Sequence, residues 1–390
     1  MRSTISGTLI SCAMVTGLLV QDRSLVAQDL LSKLQNKLEM TIEKHSFPGA
    51  TMGIVLPDGK SISLAAGFED PQKPSPMKRN SRMFCGSTGK TFVSAVVLQL
   101  AEKGRLKLDD QVKSYFDAKM DAWFFELPQA NSITIRNLLN HTSGLPRYIF
   151  QPAFLKDLTK NPLAPRSPQE CLSFLRNTQP RHVVGKGWFY SDSNYLLLGL
   201  IIERVTRQSF YENVSNRILR PLQLTDTIPA TQPKIDGLIQ GHIGRVNPFG
   251  LPAKTVSDSG YALNPKFEWC GGGFVTTSKD LSIWMKALHS DKVLKPNSYK
   301  QLIKSAPFKT DLSGNAGYGL GTFVWDTPDG KYYGHAGVMP GYLTQIEFSA
   351  RHRFAIAFQT NTDEGFGRHH HEIVQSFAKL LIQHLQEDGQ

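Results

Sequence analysis

A chain of 390 residues with 44 Lys and Arg against 33 Asp and Glu carries a formal charge of +11 and has the length for one large domain or two ordinary ones. Its basic residues are not gathered into a patch interleaved with aromatics, so the charge points to an anionic surface or acidic polymer and away from nucleic acid. Past the first apolar run no second one is long enough to span a membrane, which excludes a spanning mature chain.

The chain opens with Arg2 and an apolar run over residues 5–20, then Leu25-Val26-Ala27 before Gln28, the pattern of a secretory leader. Residues 1–27 are therefore expected to be a signal peptide and 28–390 the mature chain, secreted or periplasmic. Leu9-Ile10-Ser11-Cys12 looks like a lipoprotein cleavage box, but the apolar run continues past Cys12, so a lipid anchor is the weaker reading. Loss of Arg2, Asp22 and Arg23 with the leader lowers the net charge by one. Apolar spacing predicts a helix over 29–45 and then two strands, 51–56 and 61–66, joined by the turn Pro57-Asp58-Gly59-Lys60. A buried helix over 92–101 ends at Gly104. From there the pattern is helices and long loops: 133–139, closed by His141-Thr142-Ser143-Gly144-Leu145-Pro146, then 196–205, then a helix after Gly271-Gly272-Gly273 with Thr277 and Asp280 as caps. Strands return at 321–325, 331–334, 342–348 and 354–360, and a helix over 371–385 closes the chain. The fold class expected is α/β, with an antiparallel sheet built from both termini, flanked by helices, and a mostly helical region inserted between. The sheet region is placed at about 28–105 and 305–390, the helical region at about 106–304, and the site in the cleft between them.

Three stretches carry chemistry. In Phe84-Cys85-Gly86-Ser87-Thr88-Gly89-Lys90-Thr91 a serine and a lysine three apart share one helix face, so the ammonium can sit beside the hydroxyl at the positive end of the helix. Ser-x-x-Lys also occurs at Ser75 and at Ser376, but Ser75 lies between Pro74 and Pro76, and Ser376 lies inside the last helix. The same stretch ends like a phosphate-binding loop, yet the first glycine of such a loop would fall on Phe84. In Gly185-Lys186-Gly187-Trp188-Phe189-Tyr190-Ser191-Asp192-Ser193-Asn194 a tyrosine near a cation can be driven toward phenolate and act as general base; the other reading is a half-buried core ring. Tyr333-Gly334-His335-Ala336-Gly337-Val338 is a strand with the glycines needed for close backbone approach. The run Arg368-His369-His370-His371-Glu372 reads as a solvated helix start, since adjacent histidines on a helix point apart; no metal site is expected.

In this order the three stretches resemble the serine β-lactamase and penicillin-binding protein superfamily, in the branch with class C β-lactamases, D,D-carboxypeptidases, D-aminopeptidases and related esterases. The resemblance covers roughly residues 30–385 and rests on Ser-x-x-Lys at Ser87 to Lys90, the Tyr-x-Asn position at Tyr190 to Asp192, and Lys/His-x-Gly at His335 to Gly337. Supporting stretches include His141-Thr142-Ser143-Gly144-Leu145, Asn194-Tyr195-Leu196-Leu197-Leu198-Gly199 and Tyr318-Gly319-Leu320-Gly321. The resemblance implies an exported serine hydrolase of D,D-peptidase or esterase type that works through an acyl-enzyme on a small peptide-like or ester substrate. Ser87 would attack, Lys90 and Tyr190 would handle its proton, and the amides of Ser87 and Val338 would form the oxyanion hole. His335, Gly337 and Asp192 would border the substrate, with Arg147 and Tyr148 on the neighbouring loop. No metal or organic cofactor is implied, and a monomer is expected.

Two positions depart from that pattern. His335 stands where class C β-lactamases carry lysine, which moves the reading toward peptidase or esterase. Asp192 stands where asparagine is usual, which removes an amide donor and adds a carboxylate. That carboxylate can neutralise Lys90, meet a substrate ammonium, or cap the following helix. A true β-lactamase and a non-catalytic binding protein on the same scaffold are the alternatives. Three cysteines follow the leader, and Cys85 with Cys270, beside the glycine run, are the candidate bridge, against two small buried thiols.

Overall fold

The computed structural model describes residues 10–387 except 74, 311–315 and 366–368, with side chains from residue 28 onward. Of the expected leader, residues 1–9 lie outside the described residues, as do Pro74 beside Ser75 and Arg368 in the histidine run.

Eight strands form one antiparallel sheet in the order Ser75–Pro76, Ser61–Asp70, Gly49–Val55, Ala355–Thr360, Tyr342–Ser349, Gly330–Met339, Phe323–Thr327 and Gly317–Tyr318. The two ends of the chain meet in its middle, where Ala50 faces Thr360 and Val55 faces Ala355. The first hairpin closes as its turn residues dictate: Asp58 accepts the Lys60 N–H at 3.0 Å, and Gly59 takes the positive φ of 92° that a side chain would resist. Both middle strands are buried on both faces, which is why their sequences run apolar without alternation.

One face of the sheet is covered by the terminal helices Ile10–His45 and His370–Glu387, with Leu34, Leu38, Met52, Ile54, Phe358, Phe377 and Leu381 as their shared core. The other face carries the helix Ser278–Leu288 and a larger core that runs on into the inserted helical region through Phe92, Val96, Leu197, Phe274 and Trp284. Each such side chain contributes about 1.5–3 kcal/mol when fully buried. Local caps fix the helices of the insert: Thr134 and Asn137 make a reciprocal capping box on Ile135–Leu139, and Thr277 accepts the Asp280 N–H at 3.2 Å.

The structure moves several sequence expectations. The helix expected over 29–45 is the end of one that starts at Ile10. Ser87 does not lie in the first α-helical turn: a 3-10 turn, Gly86–Gly89, precedes the helix Lys90–Glu102. The tighter turn is held by Thr88 Oγ1 donating to the Cys85 carbonyl at 3.0 Å and Thr91 Oγ1 donating to the Thr88 carbonyl at 2.7 Å. The histidine run is not a solvated helix start. His370 is buried between Phe47 and Phe358 and pushed down to about 3 by burial, while His371 pairs with buried Glu347 at 2.7 Å. Cys85, Cys171 and Cys270 are free and buried, so the Cys85–Cys270 bridge gives way to two packed thiols. Among the described residues no helix is long and apolar enough to cross a membrane.

Candidate active site

The site is built where the Gly86–Gly89 turn that carries Ser87, the start of the helix Asp192–Thr206, the glycine run and the strand Gly330–Met339 meet. Lys90 is fully buried, and its ammonium donates three hydrogen bonds: to Ser87 Oγ at 3.0 Å, to Asp192 Oδ1 at 2.8 Å and to the Gly271 carbonyl at 2.6 Å. Three acceptors around one nitrogen require all three N–H bonds. Burial disfavours the charge, but Asp192, Tyr190 and Glu268 outweigh it and raise the Lys90 pKa above its ordinary value. The resting lysine is an ammonium. The other Asp192 oxygen receives Arg147, from Nε at 2.9 Å and Nη2 at 2.7 Å. Burial works against this carboxylate too, yet Arg147 and Lys90 hold its pKa well below the usual range. Both carboxylate oxygens of Asp192 are therefore engaged within the protein, and neither faces an incoming ammonium unpaired.

Tyr190 is 8 % exposed, its ring lies under Lys90 at 5.1 Å, and its hydroxyl, which faces Ser87 and Lys90, makes no hydrogen bond of full geometry. Burial raises the phenol, Lys90 opposes that, and the net shift is upward, so the resting tyrosine is neutral. Its orientation comes from His141, whose ring packs at 4.3 Å, and which accepts the Ser191 N–H on Nδ1 at 3.1 Å. Ser191 and Ser193 both donate to the Pro146 carbonyl at 2.8 Å, and Ser143 donates to Asn194 at 2.6 Å. The 141–148 stretch thus clamps the turn that carries Tyr190 and Asp192.

Beyond Gly334 the strand Gly330–Met339 has outrun its neighbour Phe323–Thr327, so its 335–339 segment presents a free edge. That edge is pressed against the nucleophile turn. A β-carbon built on Gly337 collides with the Cys85 carbonyl and lies 3.1 Å from the Ser87 nitrogen, and one on Gly86 lies 2.5 Å from the Val338 nitrogen. The amides of Ser87 and Val338 therefore flank one contact, as a two-donor oxyanion site requires. Gly337→Ala is expected to push strand and turn apart and reduce acylation by about 10²-fold, because ångström-scale misplacement of reacting groups costs that much. Single-turnover rates against circular dichroism check this: unchanged acylation in a folded variant contradicts it.

The remaining sequence candidates are placed as follows. His335 is 1 % exposed, meets the Tyr318 hydroxyl through Nε2 at 2.9 Å and its own chain at the Ala336 carbonyl through Nδ1 at 2.6 Å. Burial and then Lys90 push it down to about 3, so it is a neutral ring with both nitrogens engaged. Arg147 stays partly open, stacked at 4.4 Å on Phe150. Tyr148 is fully buried, and its hydroxyl donates to the Phe267 carbonyl at 2.8 Å, which puts it in the core beneath the site. Two groups had no sequence signature: the Gly271 carbonyl that holds Lys90, and Glu268, a carboxyl 6 % exposed below it. The glycine run was the only hint, since a β-carbon on Gly272 would collide with the Gly86 carbonyl. Among the described residues no group of three His, Cys, Asp or Glu side chains could hold a metal ion.

A family model described as Beta-lactamase matches residues 30–378. The chain is 26 % identical to penicillin-binding protein 4* of Bacillus subtilis over 86 % of its own length and 73 % of that protein. Among solved structures it is similar to a D-stereospecific amidohydrolase from Streptomyces, with a TM-score of 0.75 at 24 % identity, covering 88 % of this chain and 98 % of that one. It is likewise similar to a D-amino acid amidase from Ochrobactrum anthropi SV3 complexed with L-phenylalanine amide, with a TM-score of 0.76 at 20 % identity, covering 93 % and 100 % of the two chains.

Proposed function

The chain belongs to the Beta-lactamase family, and from that premise we propose that it is an exported serine hydrolase of D,D-peptidase, D-aminopeptidase or esterase type, acting through an acyl ester on Ser87. The observation that carries this reading is the fully engaged Lys90 ammonium donating to Ser87 Oγ at 3.0 Å. In the reaction Ser87 Oγ bonds to the substrate carbonyl carbon as its proton leaves. Lys90 has no free site for that proton and acts by stabilising negative charge on Oγ. Tyr190, as phenolate, takes the proton and passes it to the leaving amine or alcohol as the C–N or C–O bond breaks. A water then attacks the ester, giving its proton to Tyr190, and Ser87 leaves with a proton regained. The amides of Ser87 and Val338 hold the oxyanion in both halves.

The substrate class draws on the similarity to a D-amino acid amidase and a D-stereospecific amidohydrolase and on Asp192, which offers no N–H to a β-lactam side-chain carbonyl and is held by Lys90 and Arg147. Turnover of p-nitrophenyl acetate and of D- against L-amino acid amides by the mature chain tests the reading, and no Ser87-dependent turnover of any ester or amide would sink it. The base is the minority form of a buried phenol whose pKa lies above 10, so kcat/KM should keep climbing with pH from neutrality into the alkaline range, where the Lys90–Tyr190 pair loses one proton. Tyr190→Phe and Lys90→Ala should each lose about 10²–10⁴-fold, and the double variant little more than either. A flat profile, or near-normal turnover by Tyr190→Phe, returns Tyr190 to the core.

A further inference from the structure

Two cations, fully buried Lys90 and half-buried Arg147, share the single carboxylate of Asp192, which leaves that cluster one positive charge in excess. Glu268 lies beside it. Its side chain is 6 % exposed and, among the described residues, makes no ion pair or side-chain hydrogen bond. The loop geometry fixes where it sits: a β-carbon built on Gly271 would be 2.8 Å from Glu268 Oε2 and 3.9 Å from the Lys90 nitrogen, so carboxylate and ammonium border the same side of that glycine. Gly271 is also the residue whose carbonyl holds Lys90 at 2.6 Å, and the Gly272 next to it lies against the nucleophile turn. Glu268 is thus built into the wall of the site without touching any of its charges.

A carboxylate so placed acts through its field. With Glu268 ionised, the site is close to neutral; without it, the site is positive. We infer that Glu268 is a specificity-determining residue of the Ser87 site, which lets the protein accept substrates carrying a cation on the acyl portion by cancelling the preference for a carboxylate there that the excess positive charge of Lys90 and Arg147 would impose. This rests on the Ser87 hydrolase reading but assigns to it a charge class that neither the fold nor the motifs supply. Asp192 cannot fill that role, since Lys90 and Arg147 hold both of its oxygens.

The groups facing Glu268 from the elements packed round it are Lys90, Arg147 and Asp192, with Tyr148, Cys171, Tyr211, Tyr261 and Cys85 more weakly coupled. Burial and then Asp192 raise the carboxyl, Lys90 and Arg147 lower it, and it comes to about 7. The cancellation should therefore be present above neutrality and fade below it.

Three p-nitrophenyl esters with the same leaving group and acyl chains ending in trimethylammonium, methyl or carboxylate keep their charges between pH 6 and 8. Wild type at pH 8, with the four charges balanced, is expected to take the cationic and anionic esters with kcat/KM within about tenfold of each other. In Glu268→Gln the ratio of cationic to anionic kcat/KM should fall by about 10²-fold, the scale of one charge acting within a few ångströms at reduced dielectric, with the neutral ester as the reference for any loss common to all three, and Glu268→Asp should restore the ratio. Lowering the pH through 7 should lower the cationic-to-anionic ratio in wild type and leave it flat in Glu268→Gln, which tests the inference even if the glutamine variant folds poorly. Equal losses on all three esters, or an unchanged ratio in Glu268→Gln, overturn it. If no ester is turned over in a Ser87-dependent way, the hydrolase reading itself fails, a separate outcome.

Discussion

Ser87→Ala is expected to lower turnover by roughly 10³-fold or more, the usual loss of a nucleophile, with what remains owed to the oxyanion donors and binding. The substitution is a clean one. The Ser87 side chain is partly exposed and its one described hydrogen bond comes from Lys90, which keeps Asp192 and the Gly271 carbonyl as acceptors. The melting temperature should accordingly stay near that of wild type, separating lost chemistry from lost folding. A steady-state assay with p-nitrophenyl acetate beside a thermal melt reads both. Retained turnover would move the chemistry to another residue.

Asp192→Asn should be costly to the fold itself. The substitution leaves buried Lys90 and half-buried Arg147 around a neutral amide, and breaking a buried pair such as Lys90–Asp192 typically costs about 3–5 kcal/mol. The pH dependence has a definite sign. Arg147 and Lys90 hold the Asp192 carboxyl below its unfolded value despite burial, so its stabilisation is fully present above the unfolded pKa of about 4 and is lost as pH falls below it. The stability gap between wild type and Asp192→Asn should thus be constant and widest at neutral pH and narrow progressively as the pH falls below about 4. Removing Asp192 also removes the strongest group raising Lys90, so the alkaline limb of kcat/KM should move to lower pH for neutral and charged substrates alike. Urea titrations at pH 7 and pH 3.5 decide the first point, and equal gaps at both would contradict it.

What the sequence made legible is what local chemistry dictates. The Pro57-Asp58-Gly59-Lys60 turn, the Thr277 cap and the buried face of the nucleophile helix are written in neighbouring residues, and the structure has them there. Strands at both ends with helices between them pointed to one sheet, and the structure pairs Gly49–Val55 with Ala355–Thr360. The site was legible where a motif names side chains: Ser87 and Lys90 are three apart, and the structure puts Lys90 on Ser87. It was not legible where contact spans the chain. The Gly271 carbonyl is 181 residues from Lys90 and has no residue type of its own. Side-chain direction was equally hidden: Tyr148 follows Arg147 in the loop, yet one enters the core and the other reaches Asp192. The histidine run misled for the same reason, since only the packed sheet supplies Phe47, Phe358 and Glu347 as its partners.

The central claim is a covalent acyl ester on Ser87, and intact-mass measurement of the protein quenched during turnover of a slow ester tests it most directly. Wild type should gain one acyl mass, peptide mapping should place it on Ser87, and Ser87→Ala should gain none. Cys85, two residues away, provides an internal control: its thiol is buried and pushed up to about 11, so it should remain unmodified. An acyl group mapped to Cys85, Tyr190 or any residue other than Ser87, or one that persists in Ser87→Ala, would contradict the account.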